Sequence, residues 1–467
     1  MCSVNEDDLG IADLTLERRN KNDLRNSACK KCSQEKASVV LRTKDPYCQG
    51  CFLKYATHKF RATLGKSKLV RPKDRILLAT SGSQSSVALL HMVSEGLSEQ
   101  NNKRFLFTSL AVHIDEGAVT GLSRDERVEA LKAVAKQAED LNFPFYTVQL
   151  SNSLNLNPTS ILDVNAKVED IDLNENRIVA GDEQLTSLFC KTRTLTSKED
   201  LLGKLRQNLL MAVAKELGCN KILLGDNGSQ LAVKLIANVS IGRGAHLPWD
   251  IGFCDVRDSG VMILRPLKEF MGKEIAFYCV FNKLSAVPLP SLSTKTFRMA
   301  SIRRLTEDFL FGLHADFPST FSAVIKTGDK LALPTEGSAR CVLCKVALDQ
   351  QNRECSSQQA TQFSKELVGK ISSKDEVWSN DCVLESDDPS GSDSRSQGDI
   401  IGGSMSSKAG CSKLKDCLCY GCCLIVADMD DGGALLNGIL SIDEKCSEAA
   451  ITAIPLSSNL PCGQEKS

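Results

Sequence analysis

The sequence predicts a doubly wound α/β domain, in which helices cover both faces of a parallel sheet, with a zinc module before it and a helical, Cys-rich region after it. The first observation is an alternation of strand-like and helix-like apolar patterns between residues 75 and 285, which is typical of a parallel sheet. The second is the stretch RILLATSGSQSSVALLHMV, residues 75–93, which reads as a strand, a turn of small residues and a helix. The third is a set of CxxC pairs on either side of that region.

Composition is typical of an ordinary soluble protein. Of 467 residues, 42% are hydrophobic and 25% are charged, and no stretch approaches the roughly 18 consecutive apolar residues of a membrane span. The acidic start MCSVNEDDLG lacks the apolar run of a signal peptide. We therefore expect a cytosolic or nuclear protein with no membrane partner, in which most of the 20 cysteines are reduced and paired cysteines are candidate metal ligands.

The first 75 residues change sharply in charge. Residues 1–16 are predicted to form an acidic disordered arm, and residues 17–75 a basic module. That module holds 17 Lys and Arg residues against 5 Asp and Glu residues, a net charge of +12, while the rest of the chain carries −13. Concentrated positive charge favours a polyanionic partner, nucleic acid above all, and a solvated arm is the alternative. The candidate RNA-binding residues here are Lys30, Lys31, Lys54 and Lys59.

The basic module contains two CxxC pairs separated by fifteen residues. The four cysteines are Cys29, Cys32, Cys48 and Cys51. This spacing fits a tetrahedral zinc ion held by four thiolates. Because four protein ligands leave no open position for a substrate, we expect the zinc to be structural.

The α/β region spans residues 75–285. The predicted strands are 75–80, 105–113, 144–150, 220–225 and 261–266, and the predicted helices are 84–97, 124–141, 199–217 and 229–240. In doubly wound sheets, ligands bind beyond the carboxyl ends of the strands. The first such end leads into the turn 81–86, so this turn is the candidate ligand site.

The turn has the form of a phosphate-binding loop. Backbone N–H groups at a helix start attract anions, and small side chains let a phosphate approach the main chain. No Walker A sequence and no dinucleotide-binding fingerprint is present. The candidate loop residues are Ser81, Gly82, Ser83, Ser85 and Ser86.

Two segments resemble a known superfamily. SGSQSS at 81–86 is similar to the SGGxDS loop of the N-type ATP pyrophosphatases, and LGCNKILLGDNGSQLAVKLIANV at 217–239 resembles the GHNxDDxAET segment of their tRNA thiolation branch. With the flanking Cys pairs, the arrangement over about 17–345 resembles the cytoplasmic tRNA 2-thiolation protein 2 family. The resemblance implies a degenerate ATP-pyrophosphatase fold and a cytoplasmic protein.

The departures from the superfamily pattern fall on its chemical groups. Ser83 stands where the loop has its second glycine, and Ser85 stands where it has an acidic residue that would help to hold magnesium. In the second motif, which includes Gly225, Asp226 and Asn227, Asp226 replaces the histidine, and the acidic pair is replaced by Ser229 and Gln230. The CxxC that catalytic members carry would fall near Lys198 and Leu201, and neither is cysteine.

The resemblance implies a role in RNA modification. It implies a heterodimer that forms 5-methoxycarbonylmethyl-2-thiouridine at the wobble position of cytosolic tRNAs for Lys, Glu and Gln. In it this chain would be a non-catalytic, tRNA-binding pseudoenzyme. The implied partners are tRNA, a catalytic tRNA adenylyltransferase subunit that binds the ATP, and a ubiquitin-related sulfur carrier bearing a thiocarboxylate. Two alternatives are an active, divergent ATP-dependent tRNA sulfurtransferase and a zinc-stabilised RNA-binding protein outside thiolation.

The last third of the chain is predicted to be mixed. Residues 286–352 read as helices with Arg303 and Arg304 as further RNA-binding candidates, and they end in the pair Cys341 and Cys344. Residues 353–416, rich in Ser, Asp, Gln and Gly, are predicted to be a disordered insertion. The Cys-rich segment 417–467 follows. Its pair Cys419 and Cys422 is predicted to complete a second zinc site, with Cys417 and Cys423 as rival ligands.

Overall fold

A computed structural model describes most of the chain. The described residues are 27–41, 44–99, 104–154, 162–163, 175–258, 260–294, 296–331, 340–348 and 418–430. The predicted acidic arm 1–16 and the predicted insertion 353–416 lie outside them, as does Cys417. Among the described helices, none combines the length and the apolar character needed to span a membrane.

The described strands form a small hairpin and a large sheet. The hairpin consists of β1 (Val39–Leu41) and β2 (Asp45–Tyr47). The sheet contains β3 (Arg75–Ala79), β4 (Thr108–Asp115), β5 (Phe145–Gln149), β6 (Leu162–Asp163), β7 (Lys221–Leu223), β8 (Cys254–Asp255) and β9 (Met262–Leu264). Its order is β6-β5-β4-β3-β7-β9-β8, with the five central strands parallel and the two edge strands antiparallel.

This topology confirms the predicted fold class. All five predicted strands are present, and the strand order reverses beside β3, because β4 and β7 lie on its two sides. The edge strands β6 and β8 were not predicted, since two residues are too short to produce a detectable alternation. The reversal places the turn after β3 at the switch point of the sheet, where doubly wound proteins bind ligands.

Helices connect and cover the strands. They are α1 (Gln49–Ser67), α2 (Gln84–Leu97), α3 (Gly117–Thr120), α4 (Arg124–Glu139), α5 (Glu175–Lys191), α6 (Leu195–Glu216), α7 (Gly228–Ser240), α8 (Leu247–Ile251), α9 (Gly272–Phe281), α10 (Ile302–Asp316), α11 (Thr320–Gly328) and α12 (Tyr420–Ala427). Side-chain caps define several starts: Ser123 and Glu126 form a capping box at α4, and Thr194 caps α6.

The two faces of the sheet carry separate cores. Because neighbouring side chains on a strand point to opposite faces, Leu77 joins one core while Ile76 and Leu78 join the other. The core around Ile76 also contains Phe52 and Phe60 of α1, so the basic module packs directly on the α/β domain. The core around Leu77 contains the later cysteines Cys341, Cys344, Cys419 and Cys422. The two Cys-rich regions therefore lie on opposite faces of one sheet.

Candidate metal centres and nucleotide site

The four cysteines of the basic module lie together. The sulfur atoms of Cys29, Cys32, Cys48 and Cys51 are all within 4.8 Å of one another, and the sulfurs of Cys32 and Cys48 are 3.8 Å apart. Tetrahedral zinc with Zn–S bonds of about 2.3 Å places its sulfurs about 3.8 Å apart. The four thiols therefore fit a zinc ion.

This first cluster combines a tight turn and a helix start. The turn is closed by a hydrogen bond of 2.8 Å from the backbone N–H of Ser33 to the Cys29 carbonyl, and Ser33 is left-handed with φ 57°. Cys48 is the N-cap of α1, and its sulfur accepts from the Cys51 N–H at 3.4 Å. The Cys51 N–H at this helix start lowers the pKa of Cys48, but burial and side-chain hydrogen bonds with Glu35, Cys51 and Cys29 together raise it to about 12. This thiol therefore holds its proton more tightly than a free cysteine does.

The second cluster brings together cysteines that are far apart in sequence. Cys341, Cys344, Cys419 and Cys422 are all buried, with their sulfurs within 4.8 Å of one another. The sulfurs of Cys344 and Cys419 are 3.5 Å apart. Cys423 is not in this group, and its thiol donates instead to the Leu418 carbonyl at 3.8 Å.

Both clusters are built in the same way. In the second, the backbone N–H of Lys345 bonds to the Cys341 carbonyl at 2.7 Å, and Lys345 is left-handed with φ 59°, as Ser33 is in the first. Cys419 is the N-cap of α12, the counterpart of Cys48 in the first cluster. The shared design of one turn and one helix start explains why CxxC spacing recurs four times.

The proton affinities of the thiols differ within each cluster, since in each the first CxxC pair has lowered pKa values and the second pair has raised ones. Burial raises the pKa of Cys29, but backbone N–H donors of Cys32, Cys48 and Lys31 outweigh it and lower the pKa to about 6. In the second cluster, the hydrogen bond with Cys341 raises the pKa of Cys344. The hydrogen bonds with Cys419 and Cys422 have the larger combined effect and lower this pKa to about 6. Zinc needs all four thiolates, so loading the metal releases the remaining protons.

A buried arginine lies beside the second cluster. Arg243 donates to the Gly421 carbonyl at 3.0 Å and forms an ion pair with Asp200 at 3.1 Å. Burial lowers the pKa of Arg243, but Asp200 and the thiolates of Cys422 and Cys419 raise it overall. Because zinc with four thiolates is a net anion, burying it requires such positive charge nearby. The sequence did not identify this arginine, since no local pattern links it to the cysteines.

The turn after β3 keeps the backbone form of a phosphate loop. Gly82 is left-handed with φ 73°, and Ser83 caps α2 by accepting from the Ser86 N–H at 3.4 Å. The Gly82 carbonyl accepts a hydrogen bond of 2.9 Å from the Val287 N–H. A Cβ at position 82 would lie 3.1 Å from side-chain atoms of Val134 and Val287. The segment around Val287 therefore packs closely on the turn.

The second motif lies against the first. Asn227 caps α7 by accepting from the Gln230 N–H at 3.1 Å, and its Nδ2 donates to Ser85 Oγ at 2.9 Å. A Cβ on Gly225 would be 3.1 Å from the backbone of Ser85. The structure thus brings together the two segments that sequence reasoning singled out, and neutral side chains link them.

Carboxylates near the strand ends are engaged by arginines. Arg127 binds both Asp115 and Asp182 at 2.6 Å. Arg206 binds Glu116, with one contact at 2.8 Å. Arg265, which is 1% exposed, pairs with Asp226 at 3.4 Å. The pair Asp115 and Arg127 was missed, although Asp115 follows the predicted strand 105–113 by two residues; it ends β4 and so lies at the ligand-binding edge.

A neutral side chain occupies the acidic position of the loop, and the carboxylate of the second motif is paired. Magnesium favours one or two carboxylates together with substrate phosphates. Position 85 holds a serine bonded to Asn227, and Asp226 faces Arg265. The positions where catalytic members of the superfamily carry a CxxC pair are Lys198 and Leu201, which lie on α6. The nearby Cys190 is exposed on α5.

The RNA-binding candidates differ in their surroundings. Lys31, Lys54 and Arg303 are exposed, and Lys30 is exposed while paired with Asp45. Arg304 pairs with Glu307 at 3.0 Å. Lys59 is only 16% exposed, binds Glu274 at 2.9 Å and lies 4.5 Å above the Phe270 ring. The ammonium of Lys59 is therefore committed to contacts within the protein.

Comparison with known proteins gives one consistent family. A family model described as cytoplasmic tRNA 2-thiolation protein 2 matches residues 301–424. The proteins of that name from Xenopus tropicalis and Danio rerio are 34% and 35% identical to this chain, covering 88% and 95% of it and 90% and 96% of their own lengths. The Homo sapiens protein of that name is 36% identical over 74% of this chain and 76% of its own length.

A solved structure also matches much of the chain. It is the U34-tRNA thiolase NcsA from Methanococcus maripaludis with its 4Fe–4S cluster. It is 18% identical to this chain, covers 67% of it and 91% of its own length, and has a TM-score of 0.48. On the identity and coverage of the full-length relatives, this chain belongs to the cytoplasmic tRNA 2-thiolation protein 2 family.

Proposed function

We propose that this chain is the non-catalytic, tRNA-binding subunit of a cytoplasmic complex that 2-thiolates the wobble uridine of tRNA. Membership of a family named for cytoplasmic tRNA 2-thiolation supports the process. The state of the degenerate nucleotide site supports the non-catalytic role. The basic module supports the tRNA-binding role, because exposed Lys30, Lys31 and Lys54 lie on one small, strongly basic unit.

The observation that carries the proposal is the contact between Ser85 and Asn227. It joins the two segments that would hold the nucleotide through neutral groups that already bond to each other at 2.9 Å. Adenylation develops charge on phosphate oxygens, and enzymes stabilise that charge with metal ions and fixed cations. The turn 81–86 retains backbone N–H groups but offers no carboxylate to position magnesium.

The chemistry is then assigned to other components. A catalytic tRNA adenylyltransferase subunit binds ATP and activates the uridine, and a ubiquitin-related carrier delivers sulfur as a thiocarboxylate. This chain contributes affinity for tRNA phosphates and a folded platform. The two Cys clusters hold structural zinc, because each offers four thiolates and no open coordination position.

The test compares this chain alone with the assembled pair. Purified chain is mixed with ATP, magnesium and unmodified tRNA, and released pyrophosphate is measured. We expect no release above background from the chain alone, and thiolated tRNA when catalytic subunit, chain and sulfur carrier are combined. Pyrophosphate release by the chain without its partner would instead identify it as a divergent ATP-dependent sulfurtransferase.

The net charge of +12 over residues 17–75 favours one second candidate, a zinc-stabilised RNA-binding protein outside thiolation. The two candidates differ in cells that lack the chain. Under the main proposal, 2-thiouridine in the affected tRNAs falls to background on deletion and returns with the wild-type chain. Unchanged 2-thiouridine in the deletion would favour the second candidate.

A further inference from the structure

Exposed apolar side chains lie on one side of helix α10 and in the loop before it. We name this surface the α10 patch, and it consists of Phe297, Met299, Leu305, Phe309 and Leu313. Phe297 is 87% exposed, Met299 80% and Phe309 61%. Taking about 200 Å² for a fully exposed large apolar side chain, the patch exposes on the order of 600 Å². That is at the upper limit for a monomer, where such patches are often functional.

Helix geometry places three members of the patch on one side of α10, and an ion pair connects the preceding loop to the same helix. Leu305, Phe309 and Leu313 are spaced four residues apart, so they lie on one side of α10. Thr306 and Leu310, on a different side, are buried, and Leu310 packs in a core with residues of α7 and α11. Arg298, which lies between Phe297 and Met299 in the loop before α10, pairs with Asp308 of the helix at 3.5 Å.

The charges around the patch favour a protein over RNA. Arg298 pairs with Asp308 and Arg304 pairs with Glu307, while Arg303 is exposed, so two of the three nearby arginines already have carboxylate partners. RNA binding relies on cations that neutralise phosphates. An apolar stripe at four-residue spacing, beside arginines that are mostly paired with carboxylates, is instead typical of a surface that packs against a helix of another protein.

We propose that the α10 patch is the docking surface for the catalytic subunit of the thiolation complex. This inference rests on the proposed function, which requires a second subunit because the nucleotide site of this chain is degenerate. A standard interface buries about 800 Å² on each partner, so the patch is large enough to form its apolar centre. The occupant is a polypeptide that presents an apolar helix face without unpaired charges.

The test uses full-length chain and full-length catalytic subunit, both purified. The variants are Leu305→Glu and Phe309→Glu, since glutamate keeps helix propensity and the positions are solvent-exposed, so the fold is retained. Val280→Glu on α9 is the matched control, because Val280 is also apolar and 67% exposed but lies on another helix. Affinity is measured by titration calorimetry, the fold by circular dichroism, and thiolation with tRNA and sulfur carrier.

We expect each α10 variant to weaken association at least about 30-fold, as truncation of a central interface residue does, and Val280→Glu to leave it unchanged. Wild-type affinity in both variants, with thiolation intact, would overturn the docking surface while leaving the proposed function standing. Self-association of the chain that is lost in the variants would assign the patch to a second copy. Loss of tRNA affinity alone would assign it to RNA, and absence of any wild-type association would overturn both proposals.

Discussion

Asn227 donates a hydrogen bond from its side-chain Nδ2 to Ser85 Oγ at 2.9 Å, and both residues are buried. The bond connects the segment after β7 to the helix that follows β3, across the switch point of the sheet. At this point a doubly wound enzyme would hold its ligand. In this chain the two segments stabilise each other.

The loop serines should matter for stability more than for chemistry. Replacing Ser83 and Ser85 together with alanine removes the cap of α2 and the bond to Asn227. We expect the free energy of unfolding to fall by about 2 kcal/mol, with about half from each. Thiolation by the assembled pair should stay within a few-fold of wild type. Loss of thiolation in a variant that is folded and bound to its partner would make residues 81–86 a working nucleotide site.

A change at Gly82 tests the shape of the same turn. Gly82→Glu puts a side chain on a residue with φ 73° and directs its Cβ toward Val134 and Val287 at 3.1 Å. Left-handed backbone and close packing both oppose this residue, so thermal stability should fall. We expect partner binding to fall with it, in contrast to the alanine pair. A thermal midpoint equal to that of wild type would show that the contact with Val287 is dispensable.

Metal content should follow the sulfur geometry. We expect about two zinc ions in the full-length chain and about one after Cys422→Ser, because Cys422 lies within the second group of four sulfurs. The matched control is Cys423→Ser, one residue further on, which should keep both. Inductively coupled plasma mass spectrometry of the purified proteins measures this. Retention of both ions by Cys422→Ser, or loss of one by Cys423→Ser, would contradict the assignment.

Exposed lysines of the basic module should set the salt dependence of tRNA binding. Replacing Lys30, Lys31 and Lys54 with alanine removes three charges, and we expect weaker binding to all tRNAs tested. The slope of log affinity against log salt should become shallower by about 2 units, because fewer counterions are released. Titrations at several salt concentrations measure the slope.

The control for that experiment removes equal charge elsewhere. Lys132, Lys136 and Lys326 are exposed on α4 and α11, and their replacement should leave the slope unchanged. If both triple variants behaved alike, general positive charge rather than the basic module would explain binding.

Lys59→Ala should lower thermal stability, since it leaves Glu274 without this partner.

Acid sensitivity should depend on Asp250. This carboxylate is 2% exposed and binds Arg257 at 2.7 Å. Burial raises the pKa of Asp250, but the positive charges of Lys204, Arg257 and Lys234 outweigh burial. The pKa of Asp250 in the folded protein therefore lies well below the usual value of about 3.9. Its stabilisation is therefore present above about pH 4 and is lost as pH falls toward the folded pKa.

We expect Asp250→Asn to cost about 3–5 kcal/mol at pH 7, because it leaves buried cations uncompensated. The difference in thermal midpoint between wild type and variant should shrink below about pH 4. Asp258→Asn is the control, since its pair with Lys215 is partly exposed and is worth less than about 1 kcal/mol. A difference that stays constant down to pH 3 would mean that Asp250 does not titrate in this way.

Local patterns of the sequence determined the strands, the helices and the Cys pairs. The run 75–93 predicted β3, the turn and α2, because periodicity and turn chemistry act between neighbouring residues. CxxC spacing identified Cys341 and Cys344 because two sulfurs on one turn are close in any fold. The substitutions at Ser83 and Ser85 were equally visible in the sequence.

Tertiary structure decided which other distant groups meet. The CxxC pairs had predicted that Cys344 meets Cys419 across 75 positions, but only the structure shows that Ser85 meets Asn227 across 142 and that Lys59 meets Glu274 across 215. Lys30 and Lys59 look alike in a basic segment, yet one is exposed and the other lies in a nearly buried ion pair. The physical reason is that burial and charge pairing depend on how the sheet and its helices pack, and no short stretch of sequence contains that information.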